Sequence, residues 1–410
     1  MVHDVILGMA AGYDIKTLQP FLRSLIESEY KGRIVFFVNS IDNETTTYLR
    51  QHSIELCFFG QGDIPLASQR FFLYKQFIEQ DPRISQIMIT DVRDVIFQCN
   101  PFTVCNDDKL YCFEEDRSMT LSTCPYNSQW IYHTYGKNAL NTIGHNPIIC
   151  AGVTIGSYKN IRYYIETLCK ELVKSPPILG VDQGIHNFLI RSGLIPNTLI
   201  YDNKYSPVYN LHYVKAKNIE IGEKGFIVNG FGIPCVVHQY DRHPTLLMET
   251  QRRYVTFHNS LGSSSEIVKV KIGDIVQVDF AATLDDGSKV VSSFNQPLVF
   301  IVGKNQISRE FDQAVLGMSP GEWKSVKVMS DQVFGTYREE LVFVVSRDIL
   351  PLDCKQIEVG QQIVVQRGGK TFQCTVINTS ESFLTLDANY PLSTKGLNLY
   401  IQLVKIIQSY

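Results

Sequence analysis

Short apolar runs alternate with amphipathic stretches through the first part of the chain. Residues 5–9, 33–38 and 54–59 are apolar runs of strand length, and the segments between them, residues 14–28 and 45–52, are predicted as helices. Strands that alternate with helices in this order predict an α/β domain with a largely parallel sheet and right-handed crossovers.

The alternation continues with predicted helices near residues 63–79, 158–173 and 181–190, and with strand signals in residues 226–238. Between residues 100 and 146 the periodicity weakens, and tyrosine, cysteine and polar residues become frequent. Such segments of α/β enzymes commonly form binding loops, so we predict loops in this part of the chain.

The pattern changes after N-S-L-G-S-S-S, residues 259–265, whose small polar residues are typical of a linker. Beyond it, residues 276–280 alternate between apolar and polar positions, which predicts a half-buried strand, and D-D-G at 285–287 predicts a hairpin turn. The predicted organisation is an N-terminal domain, a linker and a C-terminal domain, at residues 1–258, 259–266 and 267–410.

Composition narrows the classes of function. The chain has 410 residues, 44% of them hydrophobic, and a net charge of −3, so we expect a globular protein without general affinity for nucleic acid. It has no apolar run long enough to span a membrane, and its first residues lack the basic start of a secretory signal. The ten cysteines are scattered without a C-x-x-C pair, which predicts reduced thiols and a cytoplasmic location. The sequence leaves the oligomeric state open.

The N-terminal domain is organised around I-M-I-T-D-V-R-D-V-I-F, residues 87–97. An apolar strand ends in Asp91, Arg93 and Asp94, and a second apolar run follows directly. Ligands of open α/β sheets collect beyond the carboxyl ends of strands, and carboxylate oxygens are favoured ligands of Mg²⁺ and Mn²⁺. We interpret the segment as an anchor for a metal and a diphosphate; a charged turn between two strands is the alternative.

Two further segments favour a nucleotide site. In A-A-G-Y, the small residues Ala10 and Gly12 let the backbone approach a nucleotide closely, and Tyr13 offers an aromatic ring to a base. Arg70, on a predicted helix, can bind a phosphate through two hydrogen bonds, although a solvated surface arginine fits the sequence equally well.

Three later polar residues complete the candidate site. Asp182 and Gln183 lie at the start of a predicted helix, where a carboxylate or an amide sits among polar donors. His238 follows a predicted strand and could give a nitrogen ligand to a metal that carboxylates already hold. A single histidine is more often structural, so this assignment is a hypothesis.

The order of these motifs resembles that of GT-A-fold glycosyltransferases, and residues 3–250 are most similar to the retaining, glycogenin-type group. The resemblance rests on an arginine-bearing helix, the acidic motif after the central strand, C-A-G-V-T-I-G, V-D-Q-G-I-H-N-F-L and a late histidine, at Arg70, 91–94, 150–156, 181–189 and His238. It implies a GT-A domain with a Rossmann-like mixed sheet that transfers a sugar from a UDP- or GDP-sugar.

The resemblance also implies roles for the charged residues. Asp91 would contact the nucleotide sugar and the metal, Asp94 and His238 would hold Mn²⁺ or Mg²⁺, and Arg70 would grip the donor. The acidic motif is D-V-R-D here instead of the usual D-x-D, so Arg93 is expected to replace part of the metal's charge.

Three more residues enter through the same resemblance. Gly152 would lie against the nucleotide sugar, and Asp182 or Gln183 would lie near the transferred sugar as catalytic residues. Glycosyl transfer builds negative charge on the leaving diphosphate, which a metal and an arginine can stabilise. It builds positive charge on the sugar, which a carboxylate or an amide can stabilise.

Residues 267–408 resemble FKBP-type prolyl isomerases of the SlyD-like subgroup. The signature segments that carry the resemblance are residues 276–280, 284–287, 297–303, 311–322 and 334–335. Residues 336–381 correspond to the insert-in-flap chaperone subdomain of that subgroup. The resemblance therefore implies a smaller α+β domain with this insertion.

The prolyl-binding pocket of that family is altered here. The corresponding pocket residues are Phe280, Val291, Leu298, Ile307, Phe311 and Phe334. Phe280 and Phe334 stand at tyrosine positions and Val291 at an aspartate position, whereas the apolar wall and the floor aromatic are kept. Because the polar groups are lost, we predict peptide binding with weak or absent isomerase activity.

The combined prediction is a metal-dependent hexosyltransferase whose FKBP-like module presents or recognises a protein acceptor. The donor sugar, the base, a glycan acceptor and the stereochemistry of transfer stay open. One alternative is a prolyl isomerase or chaperone that uses its N-terminal domain for docking. Another is a nucleotidyltransferase, although residues 10–13 lack the basic residue that is usual in the first loop of that class.

Overall fold

The computed structural model describes residues 3–60, 62–103, 105, 107–255, 269–284, 289–293, 297–329, 337–347, 357–367, 370–380, 382–389 and 396–408. The chain divides into two compact units, residues 1–258 and 259–410. The predicted linker, the predicted turn at 285–287 and Phe334 lie outside the described residues. Within the described part of the chain, no helix is long and apolar enough to cross a membrane.

The N-terminal unit alternates strands and helices as the sequence predicts. Its strands are β1 (His3–Ala11), β2 (Arg33–Asn39), β3 (Glu55–Phe58), β4 (Ile84–Thr90), β5 (Val95–Phe97), β6 (Leu110–Glu114), β7 (Ile149–Ser157), β8 (Thr198–Tyr201), β9 (Val208–Asn210), β10 (Glu220–Ile221), β11 (Ile227–Val228) and β12 (Val236–His238). Its helices are α1 (Ile15–Glu27), α2 (Asn43–Gln51), α3 (Leu66–Gln80), α4 (Pro125–Ile143), α5 (Tyr158–Lys174), α6 (Val181–Arg191) and α7 (Pro244–Tyr254).

Several helices start at a side-chain cap that the sequence supplies. The carboxylates of Asp14 and Asp42 accept hydrogen bonds from the backbone N–H groups of Thr17 and Thr45, at 2.8 and 2.6 Å. Such caps satisfy N–H groups that have no partner inside the helix. The first turns of α1 and α2 are therefore fixed locally by the sequence.

The central sheet of this unit has seven strands in the order β3-β2-β1-β4-β7-β6-β8. β3, β2, β1 and β4 run parallel, as do β6 and β8, but β7 is antiparallel to both β4 and β6. Four of the six pairings are parallel, which agrees with the predicted largely parallel sheet, and the antiparallel β7 makes the sheet mixed. α4 connects β6 to β7, which lies directly beside β6 and runs antiparallel to it. This connection is therefore not a crossover between parallel strands.

Helices cover both faces of the central sheet. Along β1, Ile6 joins an apolar cluster with Phe21 of α1, whereas Val5 and Leu7 join a second cluster with α3, α5 and α6. This division follows from the alternation of side chains along a strand. Buried layers enclose both faces of β4 in the middle of the sheet, and the acidic motif begins where that strand ends.

The prediction of loops throughout residues 100–146 is wrong. The segment contains β6 and the nineteen residues of α4. The apolar periodicity of α4 is weak because few of its side chains are buried and because Gly136, with φ of +78°, interrupts the helical backbone. A helix with these features gives little signal in a search for an amphipathic stripe.

Two of the ten cysteines are joined, contrary to the prediction of reduced thiols throughout. Cys99 and Cys235 form a disulfide, and their Cα atoms are 4.4 Å apart. The residues flank β5 and β12, which pair antiparallel with Phe97 opposite Val236, so the pairing brings the cysteines together. The other cysteines of the described residues are free thiols: Cys57, Cys105, Cys112, Cys124, Cys150, Cys169 and Cys374.

The C-terminal unit contains two antiparallel sheets and a short helix, α8 (Arg309–Val315). The first sheet has the order β14-β13-β21-β16, with β15 also paired to β13, and comprises β13 (Ile275–Leu284), β14 (Lys289–Ser292), β15 (Leu298–Ile301), β16 (Trp323–Met329) and β21 (Gly396–Gln408). The second has the order β17-β20-β19-β18 and comprises β17 (Val342–Ser346), β18 (Gln362–Arg367), β19 (Lys370–Thr379) and β20 (Phe383–Asp387).

The second sheet lies in the sequence between β16 and β21, as expected of an inserted subdomain. It has its own apolar cluster, which includes Phe343, Leu384 and Leu386. Because β20 pairs with β17 and β19, the insertion extends to residue 387, past the boundary at residue 381 that the sequence indicated.

Candidate functional site

A three-stranded sheet brings the acidic motif and the late histidine together. β12 pairs antiparallel with β5 and parallel with β9, so that His238 lies opposite Val95 and beside Asn210. Asp94 directly precedes Val95, and its carbonyl oxygen accepts a 2.7 Å hydrogen bond from the backbone N–H of Gln239. This register places residues that are distant in the sequence next to each other.

Asp91, Asp94 and His238 converge as the sequence predicts. His238 Nε2 lies 3.4 Å from Asp91 Oδ2 and 3.6 Å from Asp94 Oδ1, and the candidate ligand atoms of the three residues lie within 4.8 Å of one another. Asp94 and His238 are buried, whereas the Asp91 side chain is 37% exposed and lines a cavity. Two carboxylates and one imidazole in this arrangement suit a single divalent cation.

Asn210 sets the orientation of the His238 ring. Its Nδ2 donates to the carbonyl oxygen of Glu114 at 2.9 Å, which leaves Oδ1 to accept a hydrogen bond from His238 Nδ1 at 2.9 Å. His238 Nε2 is buried, has no hydrogen-bond partner within the described part of the chain, and faces Asp91 and Asp94. In metal-ligating histidines one ring nitrogen is commonly held by a neighbour while the other faces the metal. Nδ1 and Nε2 of His238 are arranged in this way.

Charges around the site shift its pKa values. Burial by itself would lower the pKa of His238, but Cys150, Asp94 and Asp91 outweigh burial and raise it well above its ordinary value. Burial would raise the pKa of Asp91, whereas Arg70 and His238 bring it below the ordinary aspartate value. The space between these side chains therefore favours a positive charge, which a proton or a metal cation supplies.

Arg70 connects α3 to the acidic motif and to α6. Its Nη1 donates to Asp91 Oδ1, and its Nη2 lies 3.4 Å from Asp182 Oδ2 and 3.3 Å from the carbonyl oxygen of Ala151. Burial acts to lower the pKa of Arg70, but the two carboxylates outweigh it and raise that pKa. The guanidinium thus orients the acids, and its direct contact with a donor phosphate stays a prediction.

The two candidate catalytic residues at the start of α6 differ in their surroundings. Asp182 is buried, and burial raises its pKa while Arg70 acts in the opposite direction. Gln183 Oε1 accepts a 3.1 Å hydrogen bond from the backbone N–H of Ala151, and its side chain also bonds to Glu115. Gln183 therefore joins α6 to β7, whereas Asp182 is held by Arg70.

Glu115 is a buried carboxyl of the cavity that the sequence-based prediction missed. Burial raises its pKa, whereas His238 and hydrogen bonds to Cys150, Gln183 and Gln239 act to lower it. The signal for Glu115 was present in the sequence, because it directly follows β6 just as Asp91 directly follows β4.

The first turn of the chain contributes less to the cavity than predicted. Tyr13 and Ala11 line it, but Ala10 is fully buried in the core. Gly12 has φ of +71° and donates its N–H to the carbonyl oxygen of Asn39 at 2.8 Å. Ala10 and Gly12 therefore shape the turn and do not form the cavity wall, since strand alternation turns Ala10 into the core.

Two arginines, one within the acidic motif and one beside it, line a cavity of about 900 Å³. Arg93 Nη2 lies 3.6 Å from Asp94 Oδ2 and 3.2 Å from Asp241 Oδ2. Arg242, which the sequence-based prediction missed, lies 3.8 Å from the same Asp94 oxygen. Both guanidiniums are partly exposed, so they place positive charge where a diphosphate would meet the acids.

Gly152 lies where a side chain would collide with the candidate metal ligands. A Cβ at this position would be 2.3 Å from His238 Cε1 and 2.7 Å from Asp91 Oδ2. We expect Gly152→Ala to displace one or both side chains and to weaken Mn²⁺ binding by at least about tenfold, as measured by calorimetric titration. Gly60→Ala is the control, because a Cβ at Gly60 meets no atom within 4 Å. Equal Mn²⁺ affinity in the two variants would contradict the assignment.

Two of the residues that are predicted to form a prolyl-binding pocket make an aromatic contact in the C-terminal unit. Phe311 is buried and meets Phe280 edge to face, with ring centroids 5.3 Å apart. Leu298 is half-buried beside the same core, whereas Val291 and Ile307 are 43% and 38% exposed. Phe280 and Phe311 thus come together as predicted, and the position of Phe334 lies outside the described residues.

Comparison with known proteins covers the C-terminal unit. Residues 267–346 match the family model of the FKBP-type peptidyl-prolyl cis-trans isomerases. The chain is 31% identical over 117 residues to the SlyD isomerase of Helicobacter pylori, which is 28% of this chain and 62% of that protein. It is 26% identical over 137 residues to the SlyD isomerase of Aeromonas hydrophila, which is 33% of this chain and 64% of that protein.

A third relative is matched over more of its length. The short-type peptidyl-prolyl cis-trans isomerase of Methanocaldococcus jannaschii is 25% identical over 148 residues, with 32% of this chain and 91% of that protein covered. The chain spans a little under two thirds of the first two relatives.

Proposed function

We propose that this chain, whose C-terminal unit contains an FKBP-type domain of the SlyD type, is a metal-dependent glycosyltransferase that uses a nucleotide-sugar donor. The observation that carries the proposal is the convergence of Asp91, Asp94 and His238 at a cavity, with the buried His238 Nε2 directed at both carboxylates. A UDP- or GDP-sugar with Mn²⁺ or Mg²⁺ would be the ligand pair.

The residues of the site have distinct tasks in this proposal. Asp91, Asp94 and His238 would hold the cation, which supplies Lewis-acid stabilisation of the leaving diphosphate. Arg93 and Arg242 add positive charge beside Asp94, and Arg70 keeps Asp91 in place. Asp182 and Glu115 are buried carboxyls of the cavity that can face positive charge developing on the sugar.

A thermal-shift screen of nucleotide sugars, each with and without Mn²⁺, tests the proposal on the full chain. A ligand at a hundred times its dissociation constant adds about 2.7 kcal/mol to the free energy of unfolding. For a unit of this size, that corresponds to an increase in Tm of about 5–10 °C. We expect a UDP- or GDP-sugar to give this increase only with Mn²⁺, and the absence of any response would contradict the proposal.

Products distinguish the two rival functions. A glycosyltransferase releases a nucleoside diphosphate from the donor, whereas a nucleotidyltransferase consumes a nucleoside triphosphate and releases pyrophosphate. A docking domain without chemistry would release neither. Chromatographic detection of nucleoside diphosphate, in a reaction that depends on Mn²⁺, would select the first function.

The C-terminal unit is proposed to bind proline-containing peptides with weak isomerase activity. In the β13–β14 pair, Val291 lies opposite Ala282, so it shares a face of the sheet with Phe280. These two positions carry a tyrosine and an aspartate in the family that the sequence resembles. The apolar contact of Phe280 with Phe311 remains, which favours binding of the proline ring without polar assistance.

Restoring the polar groups should increase isomerisation. We expect the Phe280→Tyr, Val291→Asp double variant to raise kcat/KM on a proline-containing tetrapeptide by at least about tenfold, equivalent to about 1.4 kcal/mol. A protease-coupled isomerisation assay measures the effect. Val299→Asp is the control for added surface charge, since Val299 is 52% exposed on β15. An unchanged kcat/KM in the double variant would contradict the proposed role of the lost polar groups.

Location and acceptor are further proposals. The fusion of the two units suggests a protein acceptor that the FKBP-type domain recognises, and the cytoplasm stays the proposed location. Comparing transfer to a peptide array and to a glycan array tests the acceptor. Transfer to free glycans alone would count against a protein acceptor.

A further inference from the structure

Part of the cavity wall differs chemically from the charged metal site. It is formed by the first half of α4 and by residue 213, and its main side chains are Tyr126, Asn127, Trp130 and Tyr213. None of these four side chains carries a charge at neutral pH. The wall thus offers aromatic rings and an amide, which are unsuited to a diphosphate but suited to an uncharged ligand.

Trp130 is fixed in this wall by close packing. A Cβ added to Gly180 would lie 2.1 Å from Trp130 Cζ2, and one added to Gly184 would lie 2.7 Å from Trp130 Cβ. The ring therefore lies directly against the start of α6, the helix that also bears Asp182. Because Gly180 and Gly184 have no side chains, the indole fits against this helix. It is half-buried there, beside the proposed reaction centre.

Tyr126 presents a second ring next to Trp130. The two centroids are 6.0 Å apart at an interplanar angle of 31°, and Tyr126 is 63% exposed. An aromatic side chain exposed to this extent at the mouth of a cavity leaves a large apolar face for a ligand.

The wall also contains a buried amide oxygen without a partner. Asn127 is 3% exposed, and its Nδ2 contacts Cys124 Sγ at 3.2 Å. Its Oδ1 has no hydrogen bond to any described residue, although the side chain lines the cavity. A buried acceptor in this state loses free energy unless a donor reaches it, and a ligand hydroxyl is such a donor.

We infer that this wall is an acceptor subsite for a saccharide, whose C–H face stacks on Tyr126 and Trp130 while a hydroxyl donates to Asn127 Oδ1. The inference rests on the proposed glycosyl transfer, because it identifies a saccharide, free or carried by the protein acceptor, as the group that receives the transferred sugar. A sugar ring has apolar faces, which can stack on the rings of Tyr126 and Trp130. It also has hydroxyl donors at its edge, one of which can reach the amide of Asn127. Tyr126, Asn127 and Trp130 lie on a helix, so they offer no strand edge to which an extended peptide could add.

Tryptophan emission tests the subsite without relying on turnover. The chain contains two tryptophans, Trp130 and Trp323, so the Trp323→Phe variant of the full chain reports on Trp130 alone. We titrate it with maltose, cellobiose, lactose and mannobiose, and separately with a peptide panel of similar length. We expect a saturable change of emission with at least one disaccharide, weakened about tenfold by Tyr126→Ala and retained by Tyr126→Phe.

Tyr132→Ala is the matched control, because Tyr132 is 52% exposed on the same helix but does not line the cavity. It should leave the disaccharide affinity unchanged. Saturation by peptides and not by disaccharides, no saturation at all, or an equal loss in the Tyr126 and Tyr132 variants would overturn the inference. Release of nucleoside diphosphate from the donor is measured in parallel. Release without disaccharide binding refutes the subsite and leaves the proposed transfer standing. Disaccharide binding without release refutes the proposed transfer and leaves a saccharide-binding wall that is not an acceptor subsite.

Discussion

Replacing Asp94 with asparagine should reduce metal-dependent release of nucleoside diphosphate by at least about 100-fold, the largest functional loss expected from one substitution. Asp94 is buried, so its charge is poorly screened, and its Oδ1 is one of the two carboxylate oxygens beside His238. Arg93 and Arg242 lie near its other oxygen. A neutral residue would therefore both remove a ligand and leave two guanidiniums that repel the cation.

The matched control for this substitution is Asp42→Asn. Asp42 caps α2 and does not line the cavity, and asparagine caps helices about as well as aspartate. Turnover should be unchanged in the control, and circular dichroism should show that both variants are folded. Undiminished turnover in Asp94→Asn would remove the acidic motif from the proposed mechanism.

The sequence predicted the elements with strong periodicity and missed those without it. α1 and α5 have continuous apolar stripes and occur within two residues of their predicted bounds, because one buried face is encoded locally. α4 was missed because only Asn127, Ile131 and Ile143 of its residues are buried. The antiparallel direction of β7 was missed because strand direction depends on the connection and not on the strand's own residues.

Site residues at strand ends were predictable, whereas residues that depend on pairing between short strands were not. Asp91 follows an apolar run that any reader of the sequence can locate. Asn210 and the disulfide between Cys99 and Cys235 depend on how β5, β9 and β12 align, and each of these strands has only three residues. Strands of this length carry almost no pattern, so their partners are set by the tertiary structure.

The position of Arg70 also depended on tertiary structure. The sequence placed it on a helix, where a solvated arginine was an equal alternative. In the structure it is 7% exposed and contacts carboxylates from the acidic motif and from α6. Its role is therefore to compensate buried charge, which links the stability of the unit to the geometry of its candidate site.

Removing this arginine should produce the largest loss of stability. We expect Arg70→Met to lower the free energy of unfolding of the N-terminal unit by about 3 kcal/mol, because Asp182 is left buried without its partner. Urea unfolding, followed by Trp130 emission in the Trp323→Phe background, measures this unit without a tryptophan signal from the other one. Lys75→Met is the control on the same helix, since Lys75 forms a partly exposed pair with Glu79 and should change stability by less than about 0.5 kcal/mol.

A double-mutant cycle separates lost charge compensation from lost packing. Asp182 is expected to be destabilising only when Arg70 is absent. Adding Asp182→Asn to Arg70→Met should then restore about 1 kcal/mol or more of the free energy of unfolding, whereas Asp182→Asn alone should lower it. Burial raises the pKa of Asp182 and Arg70 opposes that shift, so the same pairing predicts protonation of Asp182 at a higher pH once the guanidinium is removed. Strictly additive effects would mean that Arg70 stabilises the unit through the packing of its side chain. The acids would then keep their positions without it, and activity would survive in any Arg70→Met protein that remains folded.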